Sequence, residues 1–110
     1  MKPKRGEIIL VDFGSEYGGH RQIGVRPAIV LNAVANLVIV VPLTSNLKAQ
    51  RFKGTTVLQP NNANNLSKPS VALVFQIQPI DISEMLKRIG RLQGSDKRRL
   101  NDVVRDIVLL

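Results

Sequence analysis

Short apolar runs rich in Ile and Val, separated by Gly, Pro or Asn, are what most limits the folds open to this chain. Runs of four to seven residues bounded by turn formers fit strands and are too short for helices. Ile8 to Phe13 is the first, followed by a loop containing Gly14, Gly18, Gly19 and Gly24. Pro27 to Asn32 and Leu37 to Leu43 form a hairpin around Asn36. Thr55 to Leu58, Ser70 to Phe75 and Ile77 to Ile82 follow. The stretch Pro60 to Pro69, with Asn61, Asn62, Asn64 and Asn65, is expected to be irregular.

The period changes toward the end of the chain. Leu100, Val103, Val104, Ile107 and Val108 recur at helical spacing, and Ser95 is placed to cap a helix starting at Asp96. The opposite face carries Arg98, Arg99, Asp102, Arg105 and Asp106, with opposite charges three and four residues apart. A shorter helix is expected over Ser83 to Arg88, ended by Gly90. Five to seven short strands in a single 110-residue domain must close, or nearly close, their sheet to hide its edges. The expected fold is therefore mainly β, a small barrel with an amphipathic C-terminal helix.

Composition narrows the chemistry. The chain has no cysteine and one histidine, His20, which excludes disulfides, thiolate zinc sites and cysteine nucleophiles and argues against an intrinsic metal or other cofactor. Sixteen Lys and Arg against eight Asp and Glu leave a net charge of +8, which draws polyanions before any specific contact forms. Such charge also keeps small proteins in solution, so by itself it names no activity. Leu37 to Leu43, the longest apolar stretch, is too short to span a bilayer, and the basic start shows no secretion signal. A soluble cytoplasmic protein is expected. Aromatic residues are only 4%, which speaks against a sheet face of stacked bases.

Two segments carry candidate chemistry. The Gly14 to Pro27 loop holds Glu16, Tyr17, His20, Arg21, Gln22 and Arg26, and Pro27 biases Arg26 toward extended backbone. An arginine so placed can grip a phosphate and stabilise charge growing on it; it can equally pair with Glu16 or Asp12. Pro42-Leu43-Thr44-Ser45-Asn46 puts short polar side chains at a strand end, where they often serve only as turn formers. Lys48, Arg51 and Lys53 follow, either tracking a phosphodiester or forming a solvated loop.

Gly19-His20-Arg21-Gln22-Ile23-Gly24-Val25-Arg26-Pro27, preceded by Arg5-Gly6-Glu7-Ile8 and followed by Ala28 to Leu31, resembles the opening of the MazF/PemK toxin endoribonucleases. Val41-Pro42-Leu43-Thr44-Ser45 is similar to that family's second motif, and Gln76 with Ile80-Asp81 to its third. The resemblance covers nearly the whole chain. It implies an SH3-like barrel, a homodimer, and the toxin of a type II toxin-antitoxin system. It also implies metal-independent cleavage of single-stranded RNA by 2'-hydroxyl attack, and neutralisation by an antitoxin with an acidic disordered tail. Residue by residue, Arg26 and Thr44 match the catalytic arginine and threonine. Ser45 matches a phosphate or sugar contact, His20 an RNA contact or proton carrier, and Gln22 and Gln76 polar groups of the groove. Arg21, Lys48, Arg51 and Lys53 are added as candidate RNA contacts.

The pattern is not matched throughout. The acidic residue often found at position 21 is Arg21, the acid before Gln76 is Phe75, and Gln78-Pro79 stands where an Arg-Thr pair is usual. Two other functions stay open at this point: a CcdB-like poison of DNA gyrase, and a catalytically impaired module that binds RNA or antitoxin.

Overall fold

The computed structural model describes residues 2–14 and 23–109. Among the described residues seven strands are followed by one helix: β1 (Glu7–Asp12), β2 (Val25–Val34), β3 (Leu37–Thr44), β4 (Thr55–Leu58), β5 (Ser70–Leu73), β6 (Gln78–Asp81), β7 (Met85–Arg91) and α1 (Gly94–Val108). The strands run antiparallel in the order β4-β5-β3-β2-β1-β7, and β6 pairs with the first half of β3. The second half of β3 takes β5 instead, at Leu43↔Ala72 and Thr44↔Val71. One strand thus serves two partners along the same edge, and the sheet curls without joining its ends, so the expected barrel is nearly closed.

Alternation along the central strands explains why their apolar runs are continuous. Ile8, Ile29, Leu31, Val41 and Leu43 enter one core cluster with Leu58, Ala72, Val74, Leu92 and Leu100. Ile9, Val11, Phe13, Ala28, Val30, Val38 and Val40 enter a second with Ile80. A sheet covered on both faces needs apolar side chains at odd and even positions alike. The helix covers the first cluster through Leu100, helped by Val103, Val104 and Ile107, whereas Val108 is 61% exposed and lies outside the expected stripe.

The expected helix over Ser83 to Arg88 does not form. A single 3-10 turn, Ile82–Glu84, leads directly into β7, which pairs with β1 from Val11↔Met85 to Glu7↔Arg91. Local sequence there suits a helix, but sheet pairing and the Arg88–Glu7 ion pair at 2.8 Å outweigh it. Gly90 accordingly sits within a strand. The C-terminal helix begins at Gly94 with Gln93 in the N-cap position, two residues ahead of the expected Ser95 cap. The run Ser70 to Phe75 is strand only to Leu73, then a 3-10 turn, Val74–Gln76.

Asp81 closes a capping box with Glu84: its carboxylate accepts from the Ser83 N–H, while Glu84 accepts from the Asp81 N–H at 2.7 Å. Hydrogen bonds from Ser83, backbone first and hydroxyl second, hold the Asp81 carboxyl below its ordinary value. A depressed carboxyl stabilises the fold at pH above its unfolded value and loses that contribution as pH falls through the folded one. Asp81→Asn should therefore melt below wild type near neutral pH, with the gap closing as the solution is acidified below about pH 4. Thermal melts at a series of pH values check this; a gap that does not depend on pH contradicts it.

Candidate active site

Arg26 and Thr44 stand at adjoining ends of neighbouring antiparallel strands, Arg26 second in β2 and Thr44 last in β3. The pairs Val30↔Val40, Ile29↔Val41 and Ala28↔Pro42 run toward those ends, beyond which Arg26 pairs with Val11 of β1 and Thr44 with Val71 of β5. Both residues therefore come to the same end of the sheet. Together with Ser45 they line a hollow of about 290 Å³, completed by Val25, Pro27, Leu43, Leu66, Ser67, Lys68 and Ser70.

Each polar group is oriented by its neighbours. Arg26 Nε donates to the Ile23 carbonyl at 2.9 Å, using one of five guanidinium donors and fixing the direction of the fork. Asp12 Oδ1 accepts from the Gly14 N–H at 2.9 Å, and among the described residues no ion pair joins it to Arg26. Thr44 Oγ1 accepts from the Asn46 N–H at 3.2 Å, leaving its O–H proton to be donated. A half-exposed cation facing two hydroxyls suits a tetrahedral or pentacoordinate anion, whose oxygens need both charge and short donors.

Of the other expected residues, Gln76 lies beside Thr44 in an adjoining hollow with Asn46, Ala49, Phe52, Leu73 and Phe75. Lys48 and Arg51 belong to a 3-10 turn, Leu47–Arg51, whose N-cap Asn46 accepts from the Lys48 N–H. The basic segment after Thr44 thus begins as a solvated 3-10 turn, with Lys48, Arg51 and Lys53 all exposed. Lys48 and Lys53 are exposed and line neither hollow. His20, Arg21 and Gln22, like Glu16, lie outside the described residues.

Ser67 and Lys68 were not legible as site residues, because they sit in the Asn-rich stretch that reads only as irregular. A buried Asn64 shapes that stretch: Oδ1 accepts from the Asn61 and Leu66 N–H groups, both at 3.0 Å, and Nδ2 donates to the Gln59 carbonyl at 2.8 Å. The turn so formed presents Lys68 to the Arg26 hollow as a second cation.

Comparison with known proteins adds the family. Residues 4–108 match the model of the PemK-like, MazF-like toxins of type II toxin-antitoxin systems. The chain belongs to this toxin family. It is 33% identical over 92 residues to the endoribonuclease toxin ChpB of Escherichia coli strain K12, covering 79% of this chain and 78% of that one. Its fold is that of MazF from Deinococcus radiodurans, with a TM-score of 0.78, 22% identity and 98% and 97% of the two chains covered. A mycobacterial endoribonuclease solved with its cognate antitoxin is similar too, at a TM-score of 0.75, 16% identity and 99% and 97% coverage. The PemK/MazF-like chain described here therefore shares the curled sheet and terminal helix of these toxins.

Proposed function

We propose that this PemK/MazF-like toxin is a metal-independent endoribonuclease cutting single-stranded RNA, and that Arg26, Thr44 and Ser45 hold the scissile phosphate. The observation that carries the reading is that these three residues line one hollow. The 2'-hydroxyl attacks phosphorus, forming the 2'-O–P bond as the P–O5' bond breaks. One proton leaves the 2'-oxygen and one joins the 5'-oxygen, giving a 2',3'-cyclic phosphate and a 5'-hydroxyl. Arg26 bears the charge of the phosphorane, Thr44 and Ser45 donate to its non-bridging oxygens, and His20 moves a proton near neutral pH. Arg21, Gln22, Gln76, Lys48, Arg51 and Lys53 contact the flanking RNA.

The toxin acts in the cytoplasm as a single domain, and exposed Val34, Leu37 and Leu86 support a homodimer. A cognate antitoxin neutralises it through an acidic tail that competes with RNA for Arg26, Lys48, Arg51 and Lys53.

The test is incubation of the purified protein with a long, weakly structured RNA in EDTA, followed by sequencing of the new 5' ends. Fragments with 5'-hydroxyl termini at recurrent positions are expected. Intact RNA accompanied by gyrase-dependent DNA breaks, or RNA bound but uncut, overturns the reading. His20→Ala should slow cleavage by about a hundredfold and remove one limb of its pH profile. An unchanged profile places the proton carrier elsewhere.

A further inference from the structure

Two of the three phenylalanines of this chain lie on its surface beside one another, although 23 positions separate them in sequence. Phe52 is 49% and Phe75 41% exposed, and their ring centroids are 5.8 Å apart with planes inclined at 59°. The Arg51 guanidinium carbon stands 4.9 Å from the Phe52 centroid. Rings of this size normally go into a core, and here neither joins one.

The backbone around both rings is pinned. The Phe52 N–H donates to the Ala49 carbonyl at 3.1 Å, the Thr55 hydroxyl to the Phe52 carbonyl at 2.9 Å, and the Phe75 N–H to the Gly54 carbonyl at 3.1 Å. Gly54 makes the approach possible. It adopts φ of 77°, and a Cβ there would lie 2.7 Å from Ile107 Cδ1 and 3.1 Å from Phe75 Cβ. The rings are thus held ready on a rigid base, which lowers the ordering cost of any flat partner.

Both rings line a hollow of about 210 Å³ together with Thr44, Asn46 and Gln76. Thr44 also lines the hollow of Arg26. A ligand with a phosphate on one side of Thr44 and a flat aromatic group on the other would fill both, and a nucleotide of a single strand has that form. Aromatic faces with an arginine provide sequence-tolerant stacking, while amides read a base edge.

Resting on the nuclease reading above, we infer that Phe52 and Phe75, with Arg51, form a base-stacking subsite for a nucleotide flanking the phosphate held by Arg26 and Thr44. The probe is a short 2'-O-methyl RNA oligonucleotide, which cannot be cleaved, carrying the fluorescent base 2-aminopurine at successive positions. Wild type should quench one position strongly. Phe52→Ala should abolish that quenching and weaken binding by about ten- to a hundredfold, whereas Phe52→Tyr retains both. Phe75→Ala, at a half-exposed position, should repeat the loss with the fold intact by circular dichroism. Equal affinity and an unchanged quenching pattern in both alanine variants overturn the subsite, as does loss of binding to an acidic peptide without loss for the oligonucleotide. The two readings separate: Phe52-dependent quenching by a protein that does not cut RNA keeps the subsite and removes the nuclease. Unaltered cleavage rate and site preference in Phe52→Ala do the reverse.

Discussion

Arg26→Ala is expected to reduce RNA cleavage by about a thousandfold or more, the effect of withdrawing a positioned charged donor from a developing oxyanion. The side chain is only partly buried and its one described bond runs to the Ile23 carbonyl, so the fold should survive. Arg26→Lys keeps the charge but not the planar fork and should recover little. Single-turnover cleavage with enzyme in excess, beside a thermal melt, separates a chemical from a structural loss. A fully folded Arg26→Ala protein that cuts at the wild-type rate would remove this residue from the mechanism.

Gly90→Ala should have the largest effect on stability. A Cβ at position 90 would lie 2.4 Å from the Ala63 carbonyl oxygen and 2.6 Å from that of Asn64, both backbone atoms that cannot swing aside. The turn is bound to β7 there, by the Arg91 N–H to the Ala63 carbonyl at 3.0 Å and Asn65 Nδ2 to the Ile89 carbonyl at 2.9 Å. Overlap in such a place costs about 3 kcal/mol, enough to lower the melting temperature by about 10 °C or more. Because the same turn carries Ser67 and Lys68, residual activity below the melt should fall as well. Calorimetry of Gly90→Ala and Gly90→Ser checks this, the serine being worse; melting temperatures equal to wild type would contradict the packing described.

Sequence reading located what depends on local pattern and missed what depends on distant contacts. Thr55 to Leu58 was found to the residue, and the hairpin of β2 and β3 within a few residues at each end, because Ile and Val alternate or run continuously there. Arg26 stood out because it precedes Pro27 at a strand start, and Thr44 because it opens a run of short polar residues at a strand end. The stretch Met85 to Arg88 has helix-forming side chains, and only β1 as a neighbour turns it into strand. Low aromatic content argued against stacking surfaces, yet a percentage says nothing about proximity, and the fold places Phe52 against Phe75. Ser67 and Lys68 gave no signal, since a run of asparagines announces a turn without saying toward what it faces.

The hollow that Arg26 and Thr44 share at the ends of β2 and β3 has a consequence for control. The two residues proposed to hold the phosphate end strands that also build the molecule's interior, so on the nuclease reading folding and arming go together. On that reading restraint comes from outside, as a cover laid over a finished weapon, and lifting the cover needs no refolding of β2 or β3.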